Sequence, residues 1–158
     1  MAKPWKIPNF DPRESLPVCL EKILRTRYHE TFSNERGVLE DADSEALHDM
    51  RVSARRLKAI MKVFRQTFPK KKFRPQYEWI GNLVRSLGAV RDCDVFIDLL
   101  EEQKLSIPPP GQRSIDLLIA RQKTLRNRQR RALQNYFRTL RARHTEQEFF
   151  HFLLKAGR

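Results

Sequence analysis

The sequence predicts an all-α fold, an antiparallel helical bundle of about four to five helices. Apolar residues recur at spacings of three and four along most of the chain, the period of a helix buried on one side. Strand-like alternation is nearly absent. Only five glycines interrupt 158 residues, so long uninterrupted helices are the natural reading. The length fits one domain with one hydrophobic core. We assign residues 11–158 to that domain and residues 1–10 to an N-terminal extension.

A first helix is predicted over 11–32, with Pro12 near its first turn and Leu16, Leu20, Ile23 and Leu24 on its apolar face, extended by Arg27 and Tyr28. Residues 33–43, with Gly37 among them, read as a loop. Asp43 or Ser44 can cap a second helix that runs to Phe68 and is stopped by Pro69. Residues 70–75 read as a basic connector. A third helix is predicted over 75–104 with a bend at Gly88, and residues 106–111, holding three consecutive prolines, as a loop. A fourth helix follows over 112–143 and a short fifth over 145–155. The short connections make neighbouring helices antiparallel.

Composition excludes several classes. Hydrophobic residues at 40% and charged residues at 32% describe a globular chain rather than a disordered one. No run approaches the roughly 18 apolar residues of a membrane helix, so no membrane partner is expected. The stretch MAKPWKIPNF lacks the apolar centre and cleavage site of a signal peptide. The predicted location is the cytoplasm. Cys19 and Cys93 sit in helical stretches with no metal-ligand spacing, which predicts buried free thiols and neither a disulfide framework nor a zinc site. The charge is the informative quantity. Lys and Arg total 32 against 19 acids, a net +13. Self-repulsion on that scale is relieved by binding a polyanion: nucleic acid, an anionic membrane or polyphosphate.

The second helix carries the chemistry. Leu47, Met50, Ala54, Leu57, Met61, Phe64 and Phe68 fall on one face and predict core. His48, Arg51, Arg55, Lys58, Lys62 and Arg65 follow the same spacing on the adjacent face. They form a basic line about 25 Å long at roughly 1.5 Å per residue. Beyond that line lie Val52, Ala59 and Val63, with Arg56 among them. A charge run on a helix is ordinarily a solvated face, but such faces mix signs because opposite charges at i,i+4 stabilise them. Here Asp49 is the only acid between Ala46 and Phe68. A single-sign line between two apolar strips predicts a lined groove or channel. Arginine's planar fork binds phosphate bidentately, and lysine adds a mobile point charge. His48 lies in line with the arginines and can donate to a phosphate oxygen.

The stretch His48-Asp49-Met50-Arg51-Val52-Ser53-Ala54-Arg55-Arg56-Leu57-Lys58 resembles the signature helix of CHAD domains, the conserved histidine α-helical domains. Leu87-Gly88-Ala89-Val90-Arg91-Asp92-Cys93-Asp94-Val95 resembles that family's second hallmark, in the expected order and separation. The resemblance implies an all-helical fold, binding of inorganic polyphosphate along a basic surface or central pore, and no catalysis or cofactor. By match to the motifs it makes His48, Arg51, Arg55, Arg56, Lys58 and Lys62 phosphate ligands, with Arg91 from the second motif. CHAD domains usually hold two related helical halves. This sequence resembles the first half, from about residue 16 to 154, and no second His-x-x-Arg pattern follows Arg91. The expectation is a homodimer in which two copies bring two basic stripes to one site.

Other constellations carry less. Asp92 and Asp94, within one helical turn of each other and of Arg91, could bind a metal or act as an acid/base pair. Their expected role is to orient arginines and tie helices together, and no metal site is assigned. Arg85 and Asp92 share a face, consistent with that role. On the fourth helix the arginines spread around the helix rather than forming one line; Arg121 and Arg128, with Arg131 as a further candidate, are placed at the border of the groove. Glu148 and His151 have the Glu-x-x-His spacing of di-iron bundles, but one copy does not make such a site. Nonspecific nucleic-acid binding is the alternative function. The long cationic stripe, poor in Asn, Gln and interleaved aromatics, argues against base reading and strand stacking.

Overall fold

A computed structural model describes residues 3–41 and 44–156. Among them are six α-helices: α1 Leu16–Phe32, α2 Glu35–Glu40, α3 Ser44–Val63, α4 Lys70–Lys104, α5 Pro109–Ala142 and α6 Thr145–Ala156. The all-α expectation holds, with no strand among the described residues. Asp43, one of two predicted caps for α3, lies outside the described residues.

The departures from prediction are at element ends, in one short helix within a predicted loop and in an absent bend. α1 starts at Leu16, not at 11, because Pro17 must sit in the first turn, where its missing N–H has no helical acceptor to lose. Ahead of it, Asp11 accepts from the Arg13 backbone N–H at 2.9 Å and closes a separate turn. The predicted loop at 33–43 contains α2. Its Val38 is buried, and Asp41 ends the helix in the left-handed region at φ 55°. α3 ends at Val63 rather than Phe68. A 3₁₀ turn over Arg65–Thr67 follows, and Phe68, preceding Pro69, is extended.

The supposed connector at 70–75 is the first turn and a half of α4, which runs on through Pro75 and without a break through Gly88. Stacked rings hold this start in place. Phe73 stacks on Phe68 on one side and on Tyr77 on the other, with centroids 5.9 and 5.3 Å apart, and Phe68 stacks on Phe152 of α6 at 4.8 Å. Two of the three consecutive prolines lie inside α5. Pro108 is its N-cap, and Pro109 and Pro110 occupy its first two positions.

Two core clusters organise the molecule. One gathers Leu20, Leu24 and Tyr28 of α1, Leu57 and Met61 of α3, Ile80 of α4, and Phe149, Phe152 and Leu153 of α6. The other joins Val38 of α2, Leu47, Met50 and Ala54 of α3, Leu83, Leu87 and Val90 of α4, and Leu133, Phe137 and Leu140 of α5. Of the predicted α3 core stripe, all are buried except Phe64, which is half-buried. A third, small cluster (Ile97, Leu100, Ile119) pins the far ends of α4 and α5 to each other. α3 therefore lies with one face in both main cores, α4 along its side, and the basic line at the seam between them.

A candidate anion-binding groove

Burying Leu47, Met50, Ala54, Leu57 and Met61 fixes the rotation of α3. That rotation sets His48, Arg51 and Lys58 half-buried and Arg55 and Lys62 exposed, while Arg65 is carried on the 3₁₀ turn. Two open depressions lie along the α3–α4 seam. One is lined by Arg55, Lys58, Ala59 and Lys62 of α3 with Tyr77 and Val84 of α4. The other is lined by Lys58 with Tyr77, Glu78, Gly81, Asn82 and Arg85. They share Lys58 and Tyr77 and so form one groove. Of the second apolar strip, Ala59 lines the groove, Val52 is half-buried and Val63 is 73% exposed. In the single chain this is an open groove, not a closed channel.

Lys58 is the hinge of the groove. Its Nζ lies 5.3 Å from the Tyr77 ring centroid, within reach of the ring's negative face. It also lies over Gly81, where an added Cβ would meet Nζ at 3.3 Å. Lys58 facing Gly81, and Arg55 and Val84 lining one depression, set an antiparallel register. Continued along the helices, that register sets Gly88 level with Arg51 and Arg91 level with His48. A Cβ at Gly88 would meet nothing within 4 Å, so the groove stays open there.

The electrostatics of the line are one-sided. Among the described residues, His48, Arg51, Arg55, Lys58, Lys62 and Arg65 make no ion pair with any carboxylate. The Nε of Arg51 is buried and has no hydrogen-bond acceptor among the described residues. A buried donor left unpaired costs about 1–3 kcal/mol; this N–H is covered by the protein, and Arg51 lines neither depression. The one acid lining the groove, Glu78, is engaged at 2.7 Å by Arg74.

The other predicted site residues fall elsewhere. Arg56 donates to Glu30 at 3.0 Å, and Glu30 is also paired with buried Arg27. This triad joins α1 to α3 and holds the backbone of Trp5, whose N–H donates to Glu30 and whose carbonyl accepts from Arg27. Arg91 is half-buried with no ion pair among the described residues. Arg121 and Arg128 are exposed on α5, and neither lines the groove.

Asp94 is paired with Arg126 of α5, and Asp92 is exposed. Arg126 also bonds both oxygens of Asp41, at 3.0 and 2.8 Å, and so ties the end of α2 to α4. These bonds raise the Arg126 guanidinium above its ordinary range and hold the Asp41 carboxyl below its own. Both cysteines are free and buried. Burial, with Asp94 and Asp92 close by, pushes the Cys93 thiol up, so it stays protonated.

Sequence reasoning missed Arg85 as a groove residue. Its guanidinium is held by the Asn82 side chain at the wall opposite Lys58. The signal was present: Tyr77, Gly81 and Arg85 are spaced by four, a ring, a gap and a cation on one face of α4.

The family model described as CHAD domain matches residues 22–158, which takes in α2 through α6 and the whole groove. No curated protein matches the sequence. CHAD domains are a binding family, not a catalytic one, and are associated in general with polyphosphate.

Proposed function

The chain belongs to the CHAD domain family, and from that premise we propose that it binds inorganic polyphosphate, without catalysis, in the α3–α4 groove. One observation carries the reading: a row of cations, the basic line from His48 to Arg65, makes no ion pair among the described residues, and Arg55, Lys58 and Lys62 of that row line the groove. Arg51 and Arg55 grip phosphate oxygens with their planar forks. Lys58, braced on Tyr77, meets the chain at the centre of the groove, with Arg85 across from it. Lys62 and Arg65 extend the track at one end and His48 and Arg91 at the other. Arg56 acts as a structural cation, because its guanidinium is held by Glu30, which it shares with Arg27.

A linear polyanion suits an open track better than a compact phosphate ester, because successive charges engage successive cations. Homodimerisation is part of the reading. A second copy paired about a two-fold axis sets a second cationic row against the first and covers the apolar margin at Val63. A species of monomer mass in sedimentation at micromolar protein, with and without polyphosphate, contradicts the dimer. Binding itself is tested by titrating long-chain polyphosphate into wild type and Lys58→Ala/Arg85→Ala. The double variant is expected to bind at least tenfold more weakly with its fold intact. Equal affinity moves the site away from this groove.

A further inference from the structure

A cavity of about 310 Å³ opens where α1, α5 and α6 meet, and it shares no residue with the groove. Its apolar walls include Phe32 and Phe137, and Glu35 and Glu146 line it with Tyr28. Tyr28 is only 5% exposed, yet among the described residues no group shares a hydrogen bond with its hydroxyl. The ring is buried, but the hydroxyl oxygen stays accessible from the cavity, where an incoming donor can reach it. Burial, reinforced by the charges of Glu146 and Glu35, pushes the phenol far above its usual range, so it is a neutral hydroxyl at any physiological pH.

The charge of the cavity runs against that of the molecule. Arg141 also lines it, but its guanidinium is paired with Glu35 at 2.7 Å. Glu146 has no ion pair among the described residues. An anion entering here meets an uncompensated carboxylate, whereas a cation relieves it.

We propose that this cavity is a binding site for a small aliphatic amine, its ammonium received by the Tyr28 hydroxyl oxygen with the Glu146 and Glu35 carboxylates, and its carbon chain by Phe32 and Phe137. A primary ammonium has three N–H donors and no acceptor, so three oxygens around one apolar cleft match it. Phe32 and Phe137, which line the cleft, give the methylenes apolar contact. The site is independent of the polyphosphate reading and adds a ligand of opposite charge.

The test is titration of 1,4-diaminobutane into uniformly ¹⁵N-labelled protein at pH 7 and near-physiological salt. Saturable shifts are expected at the amides of Thr145, Glu146 and Gln147. Tyr28→Phe keeps the ring in the core and removes the oxygen; Glu146→Gln removes the charge at an exposed position. Each is expected to weaken diaminobutane binding at least tenfold while leaving polyphosphate affinity unchanged. Butyrate and 1-butanol, of the same chain length, are expected to produce no saturable shift. No saturation with diaminobutane, equal affinity in Glu146→Gln, or equal binding of butyrate overturns the proposal. Should Tyr28→Phe perturb the whole amide spectrum, Glu146→Gln decides alone.

Discussion

Lys58 of α3 lies over Gly81 of α4, its Nζ 3.3 Å from where a Cβ at that position would stand. The glycine lets a lysine stem cross the helix seam and rest its charge near the Tyr77 ring rather than in bulk water. Four residues along α4, Arg85 faces the same depression. The groove thus takes cations from two helices, although only one helix bears the basic line.

Gly81→Ala separates this role from stability. The new methyl meets only the far end of a flexible side chain, so Lys58 gives way. Alanine is favoured over glycine inside a helix by about 0.5–1 kcal/mol, which offsets a lost cation–π contact of about the same size. The melting temperature is expected to stay within roughly 2–4 °C of wild type. Polyphosphate affinity is expected to fall about two- to tenfold. Calorimetric melts and binding titrations on one preparation check both, and unchanged affinity removes Lys58 from the site.

Neighbouring arginines are expected to behave oppositely. Arg55 is exposed and unpaired, so Arg55→Ala should weaken polyphosphate binding and change stability by less than about 0.5 kcal/mol. Arg56→Ala strips one cation from Glu30, which is 4% exposed, and should cost about 1–3 kcal/mol with a smaller effect on binding. Glu30→Gln leaves Arg27 buried without its countercharge and should cost more, about 3–5 kcal/mol. Urea unfolding beside binding titrations distinguishes them. A large binding loss and a small stability loss for Arg56→Ala would return that residue to the phosphate track.

The Asp41 carboxyl is held below its ordinary 3.8, chiefly by the hydrogen bonds from Arg126. Because the folded value is depressed, this contribution to stability is fully present above about pH 5. It is lost as pH falls below 3.8 through the folded value. Asp41 is partly open to solvent, so the contribution is small. In Arg126→Ala the Asp41 titration, followed by carbon NMR, is expected to move up. Overall stability should drop at neutral pH as well, because buried Asp94 loses its only ion-pair partner among the described residues. An unmoved Asp41 midpoint contradicts the assigned cause.

The α3 stripe was legible because burial of Leu47, Met50, Ala54, Leu57 and Met61 fixes one helix face, and the basic line follows at a constant angle from it. Helix ends were less legible where prolines sit. Pro75 reads locally as a breaker, yet the Phe68–Phe73–Tyr77 stack holds α4 through it, a tertiary effect no local pattern carries. Arg56 and Arg55 are adjacent in sequence and look alike. Only the position of Glu30 on another helix tells them apart. The same holds for Arg85, whose part in the groove depends on the register between α3 and α4.

Competition at near-physiological salt tests the central claim most directly. Labelled long-chain polyphosphate is displaced by unlabelled polyphosphate, duplex DNA or RNA, for wild type and Arg51→Ala/Arg55→Ala, and repeated across salt concentrations. Polyphosphate is expected to compete orders of magnitude better than either nucleic acid. The double variant should lose that preference and lower the logarithmic salt slope by about one per cation removed. Equal competition by DNA or RNA, with little change in the variant, would contradict a dedicated polyphosphate groove and leave the +13 charge serving nucleic acid instead.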